Sequence, residues 1–142
     1  MDYEKFLPSE NLSSFINCFW TLEITTDKSA AKQRIVPDGC IELAFILGDD
    51  IKRYTSEHEY ILQPRAMVLG QTVSPFYIQP IGYVHTFAAS FFPYAFSHFI
   101  SKPIKSLKIK KHRFTSYLSQ MRPQSLKVIS SKRETQTKGL RF

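Results

Sequence analysis

Apolar positions along the chain change their spacing several times, and each change marks an expected element. Leu12, Phe15, Ile16, Phe19 and Trp20 recur at i, i+3, i+4, i+7 and i+8, the spacing of one helical face. Ser9, which follows Pro8, is placed to cap that helix by accepting a bond from a first-turn amide. From Phe19 to Thr26 aromatic and β-branched residues alternate loosely, so the short helix is expected to run into a strand. The run 34–39, Arg-Ile-Val-Pro-Asp-Gly, predicts a strand and then a tight reversal between strands. Pro37 fixes φ, Asp38 can bond its own backbone, and Gly39 tolerates positive φ. In the strand that follows, Ile41, Leu43, Phe45 and Leu47 share one face, and Cys40, Glu42, Ala44 and Ile46 share the other. Both faces are largely apolar, which predicts cover on both sides.

Further strands are expected near 51–54, 66–69, 76–79 and 83–92, each bounded by Gly, Pro or polar residues. Such regular spacing points to a sandwich or a barrel. Pro93 can open a helix as its first residue, with Tyr94, Ala95, Phe96, Phe99 and Ile100 as its apolar side and Pro103 as its end. The expected fold class is therefore mostly β (α+β), with one short helix near the start and one after the last strand.

Charge divides the chain in a way that its net +7 conceals. Residues 1–100 carry seven Lys/Arg and eleven Asp/Glu, net −4, whereas 101–142 carry twelve Lys/Arg and the single acid Glu134, net +11. Aromatic density falls at the same place: seventeen of twenty aromatics precede residue 101, leaving Phe114, Tyr117 and Phe142. Phe114, Tyr117, Leu118 and Met121 can line one helical face, but Pro123 ends it at a length that does not persist alone in water. With 142 residues, 43% hydrophobic and 14% aromatic, the chain has material for one core plus an appendage. The expected division is a folded domain over 1–108 and a basic tail over 109–142.

Cys18 and Cys40 have no CxxC spacing, and the start of the chain lacks the basic and apolar regions of a signal peptide. No apolar run reaches the ~20 residues of a membrane span. A reducing, cytoplasmic setting without membrane contact is expected. His58, His85, His98 and His112 are scattered with no HxH pair, so no metal is expected, and no other cofactor is. No GxSxG elbow or Gly-rich phosphate loop occurs among only five glycines, and catalysis has no positive support.

Two acids stand out in apolar surroundings, Asp38 and Glu42. Two readings stand for each. Asp38 is a turn former or part of a site. Glu42 is paired with a strand neighbour such as Arg34 or Arg65, or it lines a small-molecule pocket with Trp20, Tyr77 and His85, where a few polar groups among aromatics orient a ligand. Trp20, Asp38, Glu42, Tyr77 and His85 are thus the candidate ligand-binding residues. Cys40 and Cys18 read as core packing, with no sign of the lowered pKa and access that a reactive thiol needs.

The run Arg34-Ile-Val-Pro-Asp-Gly-Cys-Ile-Glu-Leu-Ala-Phe-Ile-Leu-Gly48 resembles the signature of a domain at the N-terminus of many AraC-type transcriptional regulators. Upstream, Leu12-x-x-Phe15-Ile16-x-x-Phe19-Trp20 is similar to that domain's opening helix and first strand. Downstream, Met67-Val-Leu-Gly70 and Phe87-Ala-Ala-Ser-Phe-Phe-Pro93-Tyr-Ala-Phe96 are similar to its later strands and closing helix. The resemblance covers residues 8–108. It implies a small cupin-like β-barrel that senses a small-molecule effector or self-associates as a homodimer. In such regulators a pair of helix-turn-helix units about a hundred residues long binds DNA, and this chain has no room for it.

The resemblance stops where the basic tail starts, and two readings of the tail compete. In one, it is a non-native end from a truncated or out-of-frame reading, without function. In the other it is a basic arm touching phosphates, with Lys108, Lys110, Lys111 and Arg113 as the contacts. The leading expectation is a sensing or dimerisation module that works by binding. Its rivals are a stand-alone small-molecule-binding cupin-like protein and a cupin-type metal enzyme.

Overall fold

The computed structural model describes residues 1–25, 31–36, 38–70 and 74–100. The expected helix over 114–121 and the candidate contacts Lys108, Lys110, Lys111 and Arg113 lie outside the described residues. Among the described residues nine strands form: β1 Asp2–Phe6, β2 Ile16–Ile24, β3 Gln33–Ile35, β4 Ile41–Ile46, β5 Ile51–Tyr54, β6 Tyr60–Leu62, β7 Ala66–Leu69, β8 Phe76–Pro80 and β9 Val84–Phe91. They make two antiparallel sheets, one ordered β1-β2-β9-β4-β7 and the other β3-β8-β5-β6. After β2 the chain passes between the sheets at almost every connection, so strands close in sequence face each other across the interior. Neither sheet closes on itself or on the other among the described strands, so the expected barrel is instead an open pair of sheets.

The mostly β class holds, but neither expected α-helix is seen. Near the start there is one 3₁₀ turn, Glu10–Leu12, and Ser9 precedes it with no side-chain capping bond. The helix-like spacing of Ile16 and Phe19 has another origin. A β-bulge between Ile16 and Cys18 adds one residue to β2, so Ile16 and Phe19, three apart, both reach the same core cluster. After β9 only the 3₁₀ turn Phe96–His98 forms, held by i to i−3 bonds such as Phe99 N to Phe96 O at 3.0 Å. A segment this short gains little from its own hydrogen bonds and is shaped by its rings.

Those rings close the outer face of the five-stranded sheet. The centroid of Phe91 lies 5.2 Å from that of Phe96 and 5.0 Å from that of Phe99, in edge-to-face contact. Ile16, Phe19, Ile41, Leu43 and Phe87 complete the layer. The inner face carries a second cluster, with Ala44, Ile46, Met67 and Ala88 against Ile51 of the other sheet. β4 is therefore covered on both sides, as its two apolar faces predict.

The reversal at 37–39 is a crossing and not a hairpin: β3 pairs with β8, and β4 pairs with β9 and β7. Pro37 lies outside the described residues. Cys40 N donates to Asp38 Oδ1 at 2.9 Å, and Gly39 takes φ 82°. At the next crossing Gly48 lets two backbones meet, since a Cβ there would clash with the carbonyl oxygen of Tyr83. No helix among the described residues is long and apolar enough to cross a membrane.

Truncating Phe91 to Ala removes the ring on which both Phe96 and Phe99 rest. It should cost about 3–5 kcal/mol in urea unfolding, while Tyr94→Ala, an exposed ring of the same segment, should cost far less. Equal midpoints for the two variants would show that the outer layer is not core.

Candidate functional site

Side-chain size on the central strand makes room for the site. On its outer face β9 carries Phe87, Ala89 and Phe91, and on its inner face Val84, Thr86, Ala88 and Ser90. Ala44 lies beside Ala88 on β4, so the middle of the inner surface is shallow. A cavity of about 360 Å³ opens there between the sheets. Its walls are mostly apolar, with Ile46, Ile51, Met67, Leu69 and Ile78 among them. A space of this size and character, with a few polar groups, suits a small organic molecule.

Two of the polar groups are joined. Trp20 on β2 and Glu42 on β4 are separated by β9, and Trp20 pairs with Ala88 while Glu42 pairs with Ser90. The indole reaches over these small side chains and donates from Nε1 to Glu42 Oε1 at 3.0 Å. Tyr3 of β1 stands beside it, with ring centroids 6.1 Å apart. Burial raises the pKa of Glu42 above its ordinary value; the bond from Trp20 opposes the shift and the nearby charge of Asp38 adds to it.

The expected ion pair of Glu42 with Arg34 or Arg65 does not form. Arg65 pairs with Asp50 at 3.0 Å and donates to the carbonyl of Gly48, and Arg34 is exposed opposite Tyr77.

Of the five candidate residues, Trp20, Asp38 and Glu42 come together on the cavity, Asp38 at its rim beside Gly39. Tyr77 and His85 are not among the lining residues. Tyr77 alternates with the lining residues Phe76 and Ile78 and is 44% exposed, its ring near Lys32 Nζ. His85 lies opposite Glu23 on β2, between the lining residues Val84 and Thr86. Glu23 also accepts a hydrogen bond from the Tyr83 hydroxyl, and burial and that bond push the Tyr83 pKa up to about 12.

Gln63, Thr86 and Tyr3 are lining residues that pattern reading missed. Gln63 reads as loop, yet it is only 9% exposed, and its backbone N–H donates to Ile51 O at 2.9 Å. Its side-chain amide has no hydrogen-bond partner among the described residues. Thr86 was legible as an inward position of β9, and Tyr3 was hidden with β1. Among the described residues no three His, Cys, Asp or Glu side chains converge as a metal site requires.

The buried carboxylate sets a pH dependence. An acid whose folded pKa is raised binds its proton more tightly in the folded state. Its stabilising contribution is present below about pH 4.5 and is lost as pH rises through the folded value. Glu42→Gln keeps an acceptor for the indole and removes the charge. It should melt higher than the wild type at neutral pH, and the gap should close toward acid. A gap that is absent or widens toward acid in paired melting curves would contradict the assignment.

Residues 4–112 match a family model described as Domain of unknown function (DUF6597). No curated protein matches. Among solved structures, the chain is similar to hydroxypropylphosphonic acid epoxidase from S. wedmorenis at 16% identity and TM-score 0.46, covering 63% of this chain and 49% of that one. A Cupin_2 domain of an XRE family transcriptional regulator from Enterobacter cloacae matches at 12% identity and TM-score 0.46, covering 65% and 96%. An HTH_3 family transcriptional regulator from Vibrio cholerae matches at 10% identity and TM-score 0.44, covering 64% and 50%. This chain thus spans about half the length of the epoxidase and of the Vibrio regulator.

Proposed function

We propose that this chain, which belongs to the DUF6597 family, is a ligand-sensing domain of a transcriptional regulator of AraC type. The observation that carries the reading is the cavity between the sheets, about 360 Å³, apolar, and furnished with a fixed indole–carboxylate pair. The Pro37-Asp38-Gly39-Cys40-Ile41-Glu42-Leu43 run supports it from the sequence side, because four residues of the part that resembles AraC-type regulators, Asp38, Gly39, Cys40 and Glu42, line the cavity. The domain works by binding and not by turnover. A ligand that fits one conformation or one assembly state better than another shifts the balance between them, which is all that a sensor needs.

Trp20 is the single tryptophan of the chain and lies on the cavity wall, so its emission reports occupancy. Titration with the neutral probe 2-phenylethanol should change that emission saturably. Thr86→Phe and Leu69→Phe, which push a ring into the space, should weaken the response while circular dichroism shows the fold retained. A wild-type emission that does not change, or that changes equally in the filled variants, would remove the support for a sensing cavity.

A further inference from the structure

The charge of the cavity is one-sided. Among the described residues that line it, the charged side chains are Asp38 and Glu42, with no Lys, Arg or His. Asp38 Oδ1 is engaged by the backbone of its own turn. Glu42 uses Oε1 for the indole, and its Oε2 has no partner among the described residues. Arg53 sits over the ring of Phe76, 3.9 Å from its centroid, and Lys5, opposite Trp20 in the β1–β2 register, is exposed on the edge strand and makes no ion pair with Glu42 among the described residues.

A carboxylate held in apolar surroundings without a counter-charge is costly, and a cation brought by a ligand removes that cost. The ring of Trp20 stands beside it and that of Tyr3 stands next to Trp20, both with faces that attract positive charge. Independently, Gln63 is 9% exposed on the cavity wall, and its side-chain amide has no partner among the described residues, so it can serve a polar group of a ligand. Ile46, Met67 and Leu69 would cover an apolar body.

We infer that the cavity takes a protonated primary amine with a compact apolar body, its ammonium group held by Glu42 beside the rings of Trp20 and Tyr3. The inference rests on the ligand-binding reading and names the class of ligand. The ammonium donates to Glu42 Oε2, and Trp20 keeps the carboxylate oriented through Oε1. The Gln63 amide serves a second polar group on the same molecule.

Three probes of one shape separate this claim from the general one: 2-phenylethylamine, 2-phenylethanol and phenylacetate, each titrated into the full chain at neutral pH with Trp20 emission as the readout. The amine should bind about tenfold or more tightly than the alcohol, as a charge-assisted bond requires, and phenylacetate should bind weakest. In Glu42→Gln the preference for the amine over the alcohol should be lost, the two binding equally. An amine no tighter than the alcohol, or a preference that survives Glu42→Gln, overturns the inference and leaves the sensing reading standing. If none of the three probes binds, both readings fall together.

Discussion

A carboxylate placed between two apolar sheets needs a counter-charge or hydrogen bonds, and among the described residues Glu42 has one indole N–H. Much of the interior is arranged around that pair. For the indole to reach Glu42 it must pass over β9, and the residues beneath it are Ala88 and Ser90. Ala44, paired with Ala88, lines the cavity, so the bond and the space share the shallow middle of the inner face. Had β9 carried large residues on both faces, as its outer Phe87 and Phe91 show it can on one, the sheets would pack to a dry core with no site.

The division of labour between the two faces explains how the fold tolerates such an interior. The outer face is packed with rings, and Phe19, Phe87, Phe91 and Phe96 are all at most 2% exposed. Cohesion on that side holds β2, β9 and β4 in register, and register is what places Trp20 and Glu42 within bonding distance. The inner face gives up contacts and keeps an under-neutralised charge. A site that lowers stability in this way stands ready to regain it when a complementary ligand enters.

The strand pattern was legible in the sequence where alternation was strong. β4 with its two apolar faces, β5, β7 and the chemistry of Asp38 and Gly39 follow from residue type alone. β1 was not legible, because its Asp2, Glu4 and Lys5 face solvent on an edge strand. The bulge in β2 imitates helical spacing, and no local rule distinguishes the two. The site was legible in part for the same reason. Glu42, Asp38 and Trp20 were marked by chemistry, but the link between Trp20 and Glu42 depends on β9 lying between their strands, which no spacing encodes. Tyr77 and His85 each sit one residue away from lining positions, and in a strand that parity decides which way a side chain faces.

The central claim is that Glu42 is held on an apolar cavity with no cation paired to it among the described residues. Carbon-detected NMR of the Glu42 side-chain carboxyl through a pH titration of the unliganded protein tests this most directly. The account predicts a midpoint above the ordinary glutamate value of 4.5. A midpoint at or below that value would mean that the carboxylate is solvated or paired, and it would contradict the account.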